Sequence, residues 1–497
     1  MLVASSLGIA TGIFAFAGAA GLMGSWPAAL AIGVLAVALA TRAFWKHPVV
    51  ELDESACSPG LKIVSGLATL VAIVEIARLS VFMIAPAQVG WSAVPSSDWE
   101  VRHSCLSAYF IAAQAAGEAP NIYEGSLYTA PDDNPAAPRK PRMLGPFRID
   151  VYEYPPPFLT LPRALRVLVP DFIRFRALWF GLNAGVVLLA MVVAARSLGR
   201  VAGTRALLLS PLVWASLPTL STLQKGNVQA LVIAVSMLAM HLFERRRRAS
   251  GGALLAFATV SKLFPGMLAV YLLARRQWRA LAWTAGLGGA LVLLTLLDLG
   301  WPPFADFLGH LPGLVGGEAF PAFRNPSATA VNYSLPGIVF KLKLFGLAGM
   351  SFGVAKTIGW IYTVAAIWAT VFLALRPLRD GEKPLAWIAI LILATLRSPF
   401  LPQAYAAFPP LWLLTLLAAT YAPSTKVMFL TLLGWLSLNV FWPLDWGMAP
   451  RLLAVLTTLP QAVTIVLAVL VLRRAAASRP RASRTFASEG ATIPAIS

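Results

Sequence analysis

Apolar stretches of about 20 residues recur along the whole chain. A stretch of this length and composition is what an α-helix needs to cross the hydrocarbon core of a bilayer. Hydrophobic residues make up 58% of the 497 residues and charged residues only 12%, which is about half the charged share of a typical soluble domain. So few charges cannot cover the surface of a soluble protein of this size, so the sequence predicts an all-α polytopic membrane protein.

Twelve stretches are predicted to be full transmembrane helices. They cover residues 3–23, 26–45, 61–85, 176–195, 203–221, 227–243, 280–298, 354–375, 385–400, 403–421, 427–444 and 452–472. A further stretch, about 251–274, differs because the residues from Ser261 to Gly266, including Lys262 and Pro265, interrupt it. The sequence predicts either a pair of half-helices that enters and leaves on one side, with Lys262 at the tip, or one ordinary kinked span.

The arginine-rich short loops predict the orientation, because cytoplasmic loops carry an excess of Lys and Arg. Placing Arg42 and Lys46 inside also brings the runs Arg245 to Arg248 and Arg473 to Arg484 inside. All these basic loops lie on the cytoplasmic side only if 251–274 is the pair of half-helices. Both termini are then also in the cytoplasm. The Ala- and Arg-rich composition is typical of a bacterium with GC-rich DNA, so the predicted location is the bacterial inner membrane.

The chain divides into six predicted segments, of which the second is the largest outside the membrane. They are the first transmembrane helices (1–85), a first external, periplasmic loop (86–173), transmembrane helices with the Lys262 half-helices (174–298), a second external loop (299–353), the C-terminal transmembrane helices (354–473) and a disordered cytoplasmic tail (474–497). The first external loop holds nine of the 21 acidic residues. Long loops usually carry function, so we expect the catalytic groups there.

Three cations lie at or near the external ends of apolar stretches: Lys225, Lys262 and Arg397. Ionisable groups next to hydrocarbon are costly and usually line a cavity or bind an anion. Together with the neighbouring acidic loop, these three cations predict a site for an anionic lipid head. In this site, fixed positive charges stabilise a departing phosphate without a metal. Lys225 and Arg397 have an alternative role as anchors at the lipid headgroups.

Five short motifs in chain order resemble glycosyltransferase family 87. They are Tyr152 to Pro157, the turn Gln224 to Leu231, the break Lys262 to Gly266 with the basic stretch Tyr271 to Arg279, the element Asn332 to Leu335, and Arg397 to Pro399 with Tyr405. Asp98 to Val101 also matches the start of the family's first external loop. The chain departs from the family pattern at Lys225-Gly226, where Gly-Gln is usual.

This resemblance implies a GT-C-like fold and transfer of a sugar, most often mannose, from a polyprenyl-phosphate donor to an acceptor hydroxyl. The expected partners are that donor, a glycolipid, glycan or protein acceptor, and the lipid bilayer, but no nucleic acid. The reaction is expected at the external membrane face, with inversion at the anomeric carbon. Other functions remain open: a transporter or flippase of lipid-linked sugars, a lipid-linked glycan ligase or polymerase, or a non-catalytic scaffold.

Asp98 is the predicted catalytic base, because it follows the third span closely and matches the family's loop-opening Asp; a helix N-cap is its alternative role. Lys225, Lys262 and Arg397 are predicted to hold the donor phosphate. Asp150 and Glu153 are expected to orient the loop. The predicted substrate-binding residues are Glu100, which is also the nearest rival as base, His103, Asn227, Asn332, Tyr333, Gln403 and Tyr405.

No metal site and no cofactor are predicted. The four histidines, His47, His103, His241 and His310, lack the spacing of metal ligands. The Asp132-Asp133 pair is predicted to be a solvated turn rather than a cation site. The chain has no glycine-rich phosphate loop, which disfavours the use of ATP or a nucleotide sugar.

Overall fold

The computed structural model describes residues 2–46, 57–116, 118–119, 121–130 and 140–477. His47, the Asp132-Asp133 pair and the predicted tail beyond 477 lie outside the described residues. The all-α polytopic membrane protein predicted from the sequence is confirmed, because nearly all the secondary structure of the described residues is helical and much of it is apolar enough to lie in a membrane.

The first three helices are α1 (Leu2–Met23), α2 (Trp26–Lys46) and α3 (Pro59–Ile84). α1 packs closely on α2 because small residues face each other: a Cβ added at Gly12 would lie 2.2 Å from a Val37 methyl carbon and 2.8 Å from the carbonyl oxygen of Gly33. Close approach through small residues is the usual way in which membrane helices associate. α3 begins at a Ser58 cap, whose hydroxyl accepts from the Leu61 N–H at 3.2 Å.

The long loop, residues 86–173, is folded rather than extended. It contains α4 (Asp98–Arg102), β1 (His103–Ser104), α5 (Cys105–Ala115), β2 (Met143–Leu144), β3 (Phe147–Ile149) and α6 (Thr160–Leu168). The strands form a small sheet in the order β1-β3-β2, in which β1 is parallel to β3 with His103 opposite Arg148, and β2 is antiparallel to β3. The parallel pairing brings the start of α5 next to the residues that follow β3.

The middle of the chain forms a run of helices that positions the turn after Lys225. They are α7 (Phe172–Ser197), α8 (Arg200–Leu209), α9 (Pro211–Trp214), α10 (Leu217–Lys225), α11 (Gln229–Glu244), α12 (Arg248–Ser261) and α13 (Gly266–Ala274). The chain bends by 65° where Arg200–Trp214 meets Leu217–Lys225. Gly226 ends α10 in the left-handed region, with φ +68°, and a Cβ there would lie 2.8 Å from the Leu106 Cβ.

α12 and α13 are separated by the break from Lys262 to Pro265. Their outer ends lie at the same end of the helix bundle. Gly251 packs on the Phe243 ring near the end of α11, and Arg275 donates to the Ala374 carbonyl at 3.2 Å. The chain that follows Ala374 returns to α11, where Lys383 donates to Glu244. Lys262 lies at the opposite end, where its ammonium is 5.4 Å from the ring centroid of Tyr154 in the long loop. Which side of a membrane each end faces stays a prediction.

The remaining helices complete the bundle. They are α14 (Trp278–Leu299), α15 (Pro302–Gly316), α16 (Pro326–Ala330), α17 (Ile338–Leu344), α18 (Phe352–Leu375), α19 (Lys383–Thr395), α20 (Gln403–Ala406), α21 (Phe408–Ala419), α22 (Thr425–Asn439) and α23 (Pro450–Ala477). α19 and α21 are buried along almost their whole length and form the centre of the core. The outward faces of α2, α14 and α18 expose large apolar side chains, as expected of surfaces that contact lipid.

Seven helices of the described residues are long and apolar enough to cross a membrane: α1, α2, α3, α7, α14, α18 and α23; the bent pair from Arg200 to Lys225 makes an eighth if it is one span. The other predicted spans are also helical, but α11, α19, α21 and α22 are only 16, 13, 12 and 15 residues long. The number of helices that can cross alone is therefore smaller than the twelve predicted, because several apolar stretches are interrupted by short breaks. α23 continues to Ala477, beyond the predicted start of the tail at 474.

Candidate functional site

A buried ion pair fixes the start of the long loop to α10. The Lys225 ammonium lies 2.7 Å from both carboxylate oxygens of Glu100, and the two side chains are 5% and 4% exposed. Ser221 donates to the same carboxylate at 2.7 Å. Gln224 binds the loop twice, donating to the Glu100 carbonyl at 2.8 Å and accepting from the Ala93 N–H at 2.6 Å. The charges of Glu100 and Lys225 therefore neutralise each other.

Beside this pair lies a set of polar side chains that we term the Cys105 cluster: His103, Cys105, Asp150, Asn227 and Tyr405. The Tyr405 hydroxyl lies 3.0 Å from the Cys105 Sγ and 3.2 Å from His103 Nε2. His103 Nε2 is also 3.7 Å from the Sγ and 3.8 Å from Asp150 Oδ2. Asn227 donates to the Sγ at 3.4 Å. Four separate parts of the chain therefore meet around one buried thiol.

The small sheet explains why these side chains meet. Cys105 directly follows β1 and Asp150 directly follows β3, and these two strands pair in parallel with Ser104 opposite Ile149. Ser107 holds the position, because its hydroxyl accepts from the Asp150 N–H at 3.0 Å. The Trp99 ring stacks on the His103 imidazole with 4.8 Å between centroids, which orients the imidazole.

Burial shifts the titration of the groups in this part of the loop. Burial lowers the pKa of His103 to about 3, helped by the charges of Lys225 and Arg148, so the imidazole is neutral at pH 7. Burial raises the pKa of the Cys105 thiol to about 12 and that of Asp150 to about 6. Burial and the nearby Asp150 raise the pKa of Glu153 to about 8, against the opposing effect of Lys262. Perturbed pKa values of this kind are typical of functional sites.

Lys262 differs from Lys225 in its partners. Its ammonium donates to the Gln229 side-chain oxygen at 2.8 Å and lies over the Tyr154 ring. It interacts electrostatically with Cys105 and Glu153, but no carboxylate of the described residues lies within 4.0 Å of it. Lys262 is only partly buried. It is therefore a cation beside the Cys105 cluster that keeps its capacity to bind an anion.

Two predicted site residues lie away from the cluster. Asp98 is half exposed, and its carboxylate oxygens bind Arg102 at 2.6 Å and Arg148 at 2.9 Å. Arg397 donates to the Thr363 hydroxyl at 2.7 Å and lies over the Trp360 ring, so it contacts α18. The structure therefore brings Glu100, His103, Asn227, Tyr405, Lys225 and Lys262 together around Cys105, but neither Asp98 nor Arg397.

Three further predicted substrate ligands hold backbone segments together. The Asn332 side chain donates to the Pro399 carbonyl at 3.0 Å and accepts from the Leu401 N–H at 2.9 Å, so it fixes the turn before α20. Tyr333 is fully buried, and Gln403 is buried with its side-chain nitrogen donating to the Val440 carbonyl. These contacts indicate that the three residues shape the turn that presents Tyr405.

Sequence reasoning missed Cys105, Gln229 and Tyr154, and assigned Asp150 and Glu153 only an orienting role. One local signal was present: His103 and Cys105 are two residues apart, a spacing that places side chains on the same side of an extended segment. The approach of Asp150 had no local signal, because it depends on the pairing of two strands that lie more than 40 residues apart in the chain.

The fold and the site together define a polytopic membrane protein in which a long folded loop covers a buried polar site between helix ends. The sequence model of glycosyltransferase family 87 matches residues 152–402, half of the chain. The chain therefore belongs to glycosyltransferase family 87 and is a membrane glycosyltransferase. No curated protein and no solved structure matches it. The match includes Glu153, Lys225 and Lys262, whereas His103, Cys105 and Asp150 precede it.

Proposed function

We propose that the protein transfers a sugar, a hexose such as mannose, from a polyprenyl-phosphate donor to an acceptor hydroxyl. Membership of the family supports glycosyl transfer, and membrane embedding supports a lipid-linked donor and an acceptor in the bilayer. The observation that carries the proposal is Lys262, a cation without a carboxylate partner among the described residues, beside a polar cluster at the end of a membrane helix pair. A phosphate monoanion is the ligand that such a group suits.

The donor phosphate binds at Lys262 in this proposal. Lys225 does not add net charge there, because Glu100 accepts from it through both carboxylate oxygens. Fixed charge aimed at a developing phosphate anion lowers the barrier to its departure. The bond between the anomeric carbon and the phosphate oxygen breaks, and its electron pair leaves with polyprenyl phosphate. Arg397 stays a predicted contact of the donor.

Glu153 is the proposed acceptor of the proton from the attacking hydroxyl. It is partly buried, interacts electrostatically with Lys262, and forms no hydrogen bond or ion pair within the described part of the chain. Asp98, predicted from the sequence, has both oxygens bound to arginines, so a hydroxyl must first displace one of them. The acceptor oxygen forms the new bond as the proton moves to the carboxylate, and this single displacement inverts the anomeric configuration.

The site is proposed to face the periplasm of a bacterial inner membrane, with both chain termini in the cytoplasm. Support comes from the arginines at the other end of the bundle, where Arg248 begins α12 and Arg275 follows α13. Cytoplasmic loops are the ones rich in Lys and Arg. Labelling of single cysteines introduced beside Lys140 and Arg248, with a reagent that cannot cross the membrane, tests this orientation: only the first is expected to react in intact cells after the outer membrane is opened.

The test of the reaction uses the purified full chain in lipid nanodiscs with a radiolabelled polyprenyl-phosphate mannose and a total extract of glycolipids as acceptor. Lys262→Gln is expected to lower kcat/KM by roughly 100-fold, the usual effect of removing one charge-stabilising donor. Lys343→Gln, at an exposed lysine on α17, is the matched control and should leave the rate unchanged. Transfer by Lys262→Gln within threefold of the unmodified protein would contradict the phosphate site. If the protein, placed in closed vesicles, moves the labelled lipid from one leaflet of the bilayer to the other and forms no product, it is instead a flippase.

A further inference from the structure

His103, Cys105 and Asp150 direct three different kinds of metal-ligand atom to one point. The imidazole nitrogen, the thiol sulfur and a carboxylate oxygen all lie within 4.8 Å of one another. Two of the separations are 3.7 Å, from Nε2 to Sγ, and 3.8 Å, from Nε2 to Oδ2. Ligand atoms around a tetrahedral zinc ion are about 3.3–3.6 Å apart, given its usual bond lengths. The third separation, from Sγ to the carboxylate oxygen, is at most 4.8 Å, so these two atoms would have to approach each other by up to about 1 Å to reach that geometry.

The same side chains do not have the arrangement of a proton relay. In a relay of a nucleophile, a histidine and an acid, the nucleophile and the acid bind opposite nitrogens of the imidazole. Here the Cys105 Sγ and the Asp150 Oδ2 both face Nε2 of His103. Metal coordination requires instead that the ligand atoms surround one common point, and the mutual proximity of these three atoms is compatible with that.

Two further side chains contact these three residues: Tyr405, whose hydroxyl can be a fourth ligand, and Asn227, which contacts the thiol. The Tyr405 hydroxyl lies 3.0 Å from the Sγ and 3.2 Å from Nε2. Asn227 donates to the Sγ at 3.4 Å, as outer residues do to metal-bound thiolates. The charge of the nearby Lys225 is matched by Glu100. The Asp150 side chain is 37% exposed and the His103 side chain 14%.

We infer that His103, Cys105 and Asp150 bind one divalent transition-metal ion, with the ligand preferences of Zn²⁺, and that Tyr405 or a water completes the coordination. A thiolate, an imidazole and a carboxylate select zinc and its neighbours over Mg²⁺ and Ca²⁺, which prefer oxygen alone. Binding releases the thiol proton to solvent, and the thiolate and the carboxylate then balance the charge of the ion. The ion ties the long loop to α20 next to the proposed phosphate site.

The test measures bound metal in the full chain, purified through a tag without histidine from cells supplied with zinc. We expect about one zinc ion per chain, measured by inductively coupled plasma mass spectrometry, and less than a tenth of that amount in the Cys105→Ser and Asp150→Asn variants. Cys57→Ser is the matched control and should retain the ion. Replacement by Co²⁺ should give a thiolate-to-cobalt charge-transfer band that Cys105→Ser lacks. Size-exclusion profiles equal to that of the unmodified protein show that the variants are folded.

Two outcomes would overturn the inference: substoichiometric metal in the unmodified protein after zinc-supplied growth, or equal metal and an equal charge-transfer band in Cys105→Ser. The proposed transfer reaction is tested separately, because Lys262→Gln should lose transfer while it keeps its metal. If the unmodified protein transfers sugar but holds no metal, and Lys262→Gln does not transfer, only the metal site is refuted. Metal bound to a protein that makes no product would refute the proposed reaction alone.

Discussion

The buried pair of Lys225 and Glu100 is the contact of the site whose removal should cost most stability. Both side chains are almost fully buried, and the ammonium contacts both carboxylate oxygens at 2.7 Å. Glu100→Gln leaves a buried ammonium without a counter-charge, and Lys225→Met leaves a buried carboxylate without one. Loss of one partner from a buried pair costs about 3–5 kcal/mol. We expect a loss of that size in the free energy of unfolding for each single variant.

The double variant, Glu100→Gln with Lys225→Met, should cost much less than the sum of the two single variants, because no buried charge remains. The expected coupling energy is about 3 kcal/mol. An exposed pair of the same chemistry provides the control: Lys356 and Glu318 also lie 2.7 Å apart, but their side chains are 46% and 41% exposed. Glu318→Gln should cost less than about 1 kcal/mol.

The assay is reversible unfolding of the full chain in mixed micelles as the fraction of a denaturing detergent rises, followed by tryptophan fluorescence. Each variant gives a change in the free energy of unfolding relative to the unmodified protein. Additive costs for the two single changes would refute the argument, because they would show that the two groups do not interact. A cost for Glu100→Gln as small as that for Glu318→Gln would refute it as well, because burial would then have no effect.

Two further predictions concern the proton acceptor and the turn after α10. Burial raises the pKa of Glu153 to about 8, so the carboxylate form that accepts a proton increases with pH, and the transfer rate should rise from pH 6 to about pH 7.5. The rise should end near pH 8, because burial lowers the pKa of Lys262 to about 8 and the cation proposed to hold the phosphate is then lost. Glu153→Gln should abolish transfer while Asp98→Asn keeps it, and the reverse result in an initial-rate assay would return the role to Asp98. Gly226→Ala should destabilise the fold by about 1 kcal/mol or more, because φ is +68° and the added Cβ would lie 2.8 Å from that of Leu106; an unchanged unfolding midpoint would contradict this.

The apolar stretches predicted the helices well because helix formation in a membrane depends on local composition. Each predicted span is helical over most of its length, and the break at Lys262 falls between α12 and α13 as expected. The number of helices that cross alone was harder to predict, because hydropathy does not show where a short polar or proline-containing break ends a helix. The 65° bend between Trp214 and Leu217 is one such break.

The site was predicted in part, and the residues that were missed share a cause. Lys225 was predicted as a phosphate-binding cation near a helix end, and His103, Asn227 and Tyr405 as substrate-binding residues, and the structure brings them together. The role of Glu100 as the partner of Lys225 was not foreseen, because the two residues are 125 positions apart. Polar residues near helix ends are visible in a sequence, but the pairing of one with another depends on tertiary packing.

The distribution of charge between the two lysines determines which of them is better suited to bind the proposed donor. The Lys225 ammonium has a buried carboxylate partner, so a phosphate that approached it would have to compete with Glu100, which has no other cation within 4.0 Å among the described residues. Displacing Glu100 would leave a carboxylate buried without a counter-charge, at a cost of several kcal/mol. Within the described residues, Lys262 donates to an amide oxygen, lies over an aromatic ring and interacts electrostatically with Glu153, but no carboxylate lies within 4.0 Å of it, so a phosphate can bind it without breaking an ion pair. The same chain thus uses one lysine to hold the loop and leaves the other available for an anion.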